Sequence, residues 1–223
     1  MAKKTDTIDI ALAGLSGQGV IMYSRILATT CVAAGHHVRT YEVLGTAHRG
    51  TLIMSHIRIG PDETGFANLI PPCSADFLVG MEPLEGLRIG AYYLASGGRA
   101  VLNTHKIIPT YASLGRDFYV KHPRKRGYPP VDEIVRDLQS LASLVVAIPA
   151  TEIAIEAGHF ALANVAMLGA TAAAGVLPVS ADELKETILR LAPKGTGEKN
   201  LKAFALGHQA FEEAVSSCKA AAS

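Results

Sequence analysis

The stretch that most restricts the fold stands near the start, where residues 8–13 (IDIALA) run into the cluster Gly14-Leu15-Ser16-Gly17-Gln18-Gly19. Beyond it Val20, Tyr23, Leu27, Cys31 and Ala34 recur at spacings of three and four, one face of a helix, and Gly35 supplies its stop. A strand delivered to a helix through glycines is the opening unit of an α/β sheet, and the alternation continues downstream. Residues 38–43 and 52–59 predict strands, and residues 77–81 (FLVGM) are apolar throughout, as in a strand covered on both faces. Pro83 suits the first turn of a helix, and Leu84, Leu87, Ala91 and Leu94 carry that helix to Gly97-Gly98. Residues 100–103 and 144–148 predict two more buried strands. The pattern specifies a Rossmann-like α/β domain, a mostly parallel sheet with helices on both faces.

From about residue 150 the chain reads as a helical extension of the same single domain, residues 1–223. Residues 154–174 predict one long helix of small residues. Ser180 and Glu183 form a capping box before Leu184, Ile188 and Leu191, and Leu201, Phe204, His208, Phe211 and Val215 mark a last helix. Hydrophobic residues are 49% of the chain and charged ones 18%, against about a quarter charged in an average soluble domain. Disorder is excluded on that ground. A net charge of +1 provides no field to draw the chain to nucleic acid or an anionic membrane. The apolar surplus marks part of the exterior as an interface, so the chain reads as a subunit.

Residues 157–177 carry no charge, yet they are mostly Ala and Gly and contain His159 and Asn164. They read as a buried or interface helix rather than a membrane span, with Asn164 requiring a hydrogen-bond partner. Asp9 interrupts the first apolar run, no signal-peptide core fits before it, and the expected compartment is the cytoplasm. Cys31, Cys73 and Cys218 are too sparse for a disulfide framework, a zinc site or a cluster motif.

Two segments are candidates for chemistry. The glycine cluster lies where backbone N–H groups and a helix dipole can hold a phosphate, but its spacing is G-x-x-G-x-G, not the dinucleotide fingerprint, and no Walker lysine follows. It is either a phosphate-binding loop or a tight turn that lets strand and helix pack closely. Glu42 closes the second strand, where an acidic residue meets a ribose in dinucleotide sites. The second segment, Gly45-Thr46-Ala47-His48-Arg49-Gly50, joins two strands; Arg49 can grip a carboxylate or phosphate, and His48 can titrate near neutral pH. Elsewhere Glu82, Glu85 and Arg88 read as helix-dipole partners. The basic run at Lys121, Arg124, Lys125 and Arg126 reads as a solvated or partner-facing loop, and His36, His37 and His159 as structural residues.

Together these stretches carry a resemblance. Gly14 through Val20 resembles the G-x-G-G-Q-G-V loop of the γ-type subunits of 2-oxoacid:ferredoxin oxidoreductases, with Ser16 in place of a glycine. Glu42 through Gly50 follows, with Thr51 in place of a second glycine, then Ser55 through Gly60, Phe77 through Arg88, Tyr128-Pro129 and Asn164 through Ala170. The matches span residues 8 to 190, in family order, on the indolepyruvate-oxidoreductase branch. The resemblance implies oxidative decarboxylation of an aryl 2-oxoacid to an arylacetyl-coenzyme A and carbon dioxide, with reduction of ferredoxin. It also implies that thiamine diphosphate and 4Fe-4S clusters sit on a larger α-type partner subunit, and that this chain completes the complex and helps hold coenzyme A. Gly14, Ser16, Gly17, Gln18, Gly19, Glu42, His48, Arg49 and Gly50 are the residues it nominates for contact with that cofactor. A stand-alone nucleotide-binding regulator or dehydrogenase is the alternative on the same fold.

Overall fold

The computed structural model describes residues 7–44, 51–60, 67–108 and 128–222, with side chains to residue 218. His48, Arg49 and Gly50, and the basic run from Lys121 to Arg126, lie outside the described residues. Within them, strands β1 (Ile8–Leu15), β2 (His37–Leu44), β3 (Leu52–Gly60), β4 (Ala75–Gly80), β5 (Leu94–Asn103) and β6 (Leu144–Ile148) form one sheet. Its order is β2-β3-β1-β4-β5-β6. β1 pairs in parallel with β4, β4 with β5 and β5 with β6, whereas β3 is antiparallel to both β1 and β2. Five strands therefore point one way, as expected of a mostly parallel sheet, and β3 is the exception.

Composition decides each strand's place. β1 and β4 are apolar on both faces and lie at the centre, nearly every residue buried. β2 carries His37, Arg39, Thr40 and Glu42 among its apolar residues, stays largely exposed and forms an edge.

Among the described residues seven α-helices cover the sheet: α1 (Val20–Ala33), α2 (Pro83–Tyr93), α3 (Val131–Gln139), α4 (Ala150–Ala157), α5 (Ala163–Ala173), α6 (Ala181–Leu191) and α7 (Gly197–Ala222). One core joins Ile10, Leu12, Ile57, Phe77 and Val79 to α1, α4, α5, α6 and α7. The other joins Ala11, Ala13, Leu78 and Leu102 to α2 and α3 through Ile89, Ile134 and Leu138. Helices thus pack on both faces, with the C-terminal helices added to the α1 side. No helix among the described residues is long and apolar enough to cross a membrane.

Three sequence expectations need correction. The first strand does not stop at residue 13: Gly14 and Leu15 still pair with Ile53 and Leu52, so the glycine cluster contributes its first two residues to the sheet. The helix after Pro83 ends at Tyr93, and Leu94 already begins β5 beside Ala75. Its buried face is Glu85, Gly86, Ile89 and Gly90, because glycines let α2 lie close on the sheet while Leu84 and Leu87 stay partly exposed. Residues 154–174 are not one helix. α4 ends at Ala157 with Gly158 as its cap, His159 adopts an extended backbone, and a short 3-10 turn (Phe160–Leu162) leads into α5. The imidazole Nδ1 of His159 accepts from the Ala161 N–H at 3.1 Å and caps that turn. The capping box at Ser180 and Glu183 forms as read, and Leu184 and Ile188 are buried beneath it.

Candidate functional site

β1, β4, β5 and β6 end at the same edge of the sheet, and that edge is where the glycine loop turns over. Gly17 (φ 96°) and Gly19 (φ 79°) both occupy the left-handed region, which a side chain disfavours. Gly19 has a second constraint: a Cβ there would stand 2.5 Å from the Asn164 amide nitrogen. That amide donates to the Gly19 carbonyl at 3.4 Å, so the buried Asn164 finds its partner at the glycine loop. Gly17 differs, because a Cβ there would meet only open space. The loop therefore exposes its backbone to the outside at Gly17. The N–H groups of Gly17 and Gly19 have no acceptor among the described residues, whereas those of Ser16 and Gln18 donate to the carbonyls of Thr51 and Leu15.

Ser16 and Thr51, the two residues that stand where the resembled family has glycine, are thus joined by a 3.0 Å backbone bond. The link places the start of β3 beside the glycine loop. Both connections leave the same edge, as the sequence reading required, although the turn itself is not described.

Gln18 is a brace rather than a free ligand group. Its Oε1 accepts from the Leu15 N–H at 2.7 Å, and its Nε2 donates to the Met81 carbonyl at 2.9 Å, tying β1 to the end of β4. Asn103 donates to the same carbonyl at 3.1 Å and to the Thr151 hydroxyl at 2.9 Å, drawing in the ends of β5 and α4. Gln18→Leu, close in volume, should leave the Leu15 N–H without its acceptor. The expected cost is about 1–3 kcal/mol in urea unfolding of the isolated chain. A change under about 0.5 kcal/mol would move Gln18 from brace to ligand contact.

Around these braces lies a cleft of about 290 Å³. Its polar walls are Ser16, Gly17, Gln18, Asn103, His105 and Thr151, and Ile107, Phe160 and Ala161 supply the apolar ones. Large apolar side chains stand exposed here: Phe160, on its wall, is 63% exposed, and Ile108, next to the lining Ile107, 53%.

Glu42 sits away from this cleft. β3 intervenes between β2 and β1, so Glu42 is not on the strand next to the glycine loop, where a ribose-binding acid would stand. Its carboxylate instead accepts from the hydroxyls of Ser24 and Ser55, each at 3.3 Å, in a small polar network between α1 and the sheet.

Glu82 and Glu85 also turn out to be tied down. Glu82, fully buried at the N-cap of α2, accepts from the Glu85 N–H at 2.9 Å, from the Ile107 N–H at 3.3 Å and from the Tyr128 hydroxyl. Burial and the Glu82 contact push the Tyr128 hydroxyl well above its ordinary range, so it stays a donor. Burial raises Glu85 despite the Arg88 guanidinium at 3.0 Å. Sequence reasoning missed Asn103, His105, Thr151 and the Tyr128–Glu82 bond. The one usable signal was polar Asn103 closing an apolar strand. Nothing local announces that Thr151, forty-eight residues on, would meet it.

Among the described residues no three of His, Cys, Asp and Glu gather as metal ligands. Cys31 lies in the core, where burial pushes its thiol up to about 12, and Cys73 and Cys218 are exposed on separate elements. A cluster needs several thiolates at one point, and these residues do not fit one.

Residues 9–210 match the profile of the family described as pyruvate ferredoxin/flavodoxin oxidoreductase. The indolepyruvate oxidoreductase subunit IorB of Pyrococcus horikoshii is 32% identical over 206 residues, covering 92% of this chain and 96% of that protein. The keto/oxoacid ferredoxin oxidoreductase γ subunit of Geobacter sulfurreducens superposes with a TM-score of 0.64 at 20% identity, over 93% of this chain and 99% of that one. The 2-oxoglutarate:ferredoxin oxidoreductase of Magnetococcus marinus, solved with 2-oxoglutarate, coenzyme A and succinyl-CoA, superposes with a TM-score of 0.61 at 19% identity. There 97% of this chain covers 32% of a longer one.

Proposed function

Because the chain belongs to the pyruvate ferredoxin/flavodoxin oxidoreductase family, we propose that it is the cluster-free small subunit of a coenzyme A-dependent 2-oxoacid:ferredoxin oxidoreductase acting on an aryl 2-oxoacid of the indolepyruvate type. Thiamine diphosphate and the iron–sulfur clusters belong to a larger partner subunit, which supplies the decarboxylation and the electron path; the scattered cysteines of this chain support that division. The complex is cytoplasmic. The observation that carries this chain's own role is the sheet-edge cleft. It combines an open backbone at Gly17, polar side chains held by mutual hydrogen bonds, and an apolar rim suited to a protein partner. In this reading the partner closes on the rim, and the cleft holds part of coenzyme A, with the N–H of Gly17, which lines it, directed to a phosphate.

His48, Arg49 and Gly50 would complete that site from the β2–β3 turn, Arg49 adding charge against phosphate or carboxylate. The test uses the chain co-produced with its large subunit and assayed with indolepyruvate, coenzyme A and ferredoxin. Arg49→Ala should raise the KM for coenzyme A about ten- to a hundredfold, the effect of one charged contact, with assembly intact. An unchanged KM for coenzyme A and 2-oxoacid alike would reduce Arg49 to a turn residue. Failure to assemble would assign the turn to the interface instead.

A further inference from the structure

A second, larger cavity of about 500 Å³ opens on the other side of the Gly17–Gly19 loop, between α1, the start of α5, the end of α6 and the start of α7. Its walls are aliphatic: Met22, Ile26, Leu162, Val165, Ile188 and Leu191. No Asp, Glu, Phe or Tyr lines it. Lys199 and His159 stand among its polar residues. Lys199, in the first turn of α7, makes no ion pair among the described residues, unlike Lys202 and Lys185, which pair with Glu156 and Asp182. His159 accepts from the Ala161 N–H through Nδ1, an arrangement that puts its ring proton on Nε2 as a donor. Of the other polar wall residues, Asn200 spends its amide donors on the carbonyl and hydroxyl of Thr196, the Thr196 hydroxyl donates to the Pro193 carbonyl, and the Asn164 amide donates to the Gly19 carbonyl.

An aliphatic slot of this volume matches a small-molecule site, which pairs apolar walls with a few polar groups that fix orientation. A lysine ammonium and an imidazole N–H lining one cavity, with no Asp or Glu on its wall, suit the two oxygens of a single carboxylate. The absence of Phe and Tyr from the walls favours a flexible chain over a flat ring. We propose that this cavity binds an aliphatic monocarboxylate, the hydrocarbon chain between α1, α5 and α6 and the carboxylate on Lys199 and His159. The cavity shares Gly17 and Ala161 with the sheet-edge cleft, but Lys199 and His159 take no part in the coenzyme A reading.

Octanoate titrated into the full-length chain by calorimetry tests it, with octylammonium as the control of opposite charge. Saturable one-to-one binding of octanoate and none of octylammonium is expected. Lys199→Ala, at an exposed position, should weaken octanoate at least tenfold, and Lys199→Arg should retain it. Met22→Trp, which fills the slot from a partly exposed position, should abolish binding while leaving the unfolding midpoint close to wild type. Absence of saturable binding, or equal affinity in wild type, Lys199→Ala and Met22→Trp, would overturn the proposal. So would octanoate failing to bind while Met22→Trp blocks assembly with the large subunit, because the cavity would then be the seat of a protein contact.

Discussion

Gly207→Val is expected to destabilise the isolated chain by about 3 kcal/mol or more, at the upper end of what overpacking costs, or to prevent folding altogether. α5 and α7 cross at backbone contact: a Cβ on Gly207 would lie 2.0 Å from the Ala166 carbonyl oxygen, and one on Gly169 would lie 2.1 Å from that of Phe204. Neither neighbour can swing away as a side-chain tip could. The two helices would have to separate, and that opens the core around Phe204, Met167 and Leu168, all at most 1% exposed. Urea unfolding measures the loss. Ser217→Val, on the exposed side of the same helix, controls for the β-branched propensity cost and should stay within about 0.5 kcal/mol. Should Gly207→Val come within about 1 kcal/mol of wild type, the close crossing is not what holds α7 in place.

Arg58→Met is expected to cost about 3–5 kcal/mol at neutral pH, because it strands a buried carboxylate. Arg58 grips Asp9 through Nε at 2.7 Å and Nη2 at 3.0 Å, with about 9% of either side chain exposed. Its Nη1 also donates to the carbonyls of Ala67 and Leu69, pinning the segment between β3 and β4 to the sheet. Burial already raises Asp9 above the ordinary carboxylate range, against the lowering effect of Arg58. Without the guanidinium it rises further. The sign follows: a carboxyl whose folded value lies above its unfolded one favours the folded state when protonated, and that contribution is lost as pH rises through the folded value. The penalty of Arg58→Met should therefore be largest at pH 7 and shrink as the pH falls toward and below about 4, the ordinary carboxylate value. A penalty independent of pH would attribute the loss to the segment contacts rather than to Asp9.

The helix crossing shows how far a linear pattern reaches. Small residues over the 157–177 stretch announced that some helix would lie close, and buried Asn164 announced that it needed a partner. Which helix, and which partner, are facts of long-range geometry. The close neighbour is the chain's own α7, and the acceptor is Gly19, 145 residues away.

The same division runs through the rest of the molecule. Local periodicity set the strands, the glycine turn, the Pro83 start and the Ser180 capping box, because each depends on side chains only a few residues apart. Those patterns, in order, were enough to place the chain in its family. Sheet order was decided elsewhere. Apolar alternation is the same for a strand running up or down, so nothing local said that β3 would insert antiparallel between β1 and β2 and carry Glu42 away from the glycine loop. Nor could Gln18 be read as a brace, since its two acceptor and donor partners, Leu15 and Met81, meet only after β1 and β4 pair. The sheet-edge cleft exists for the same reason. Ser16, Asn103, His105 and Thr151 are spread over more than a hundred residues, and parallel pairing of β1, β4, β5 and β6 delivers them to one edge. Hydrogen-bond partners of buried polar groups are set by packing, and packing is a property of the whole chain.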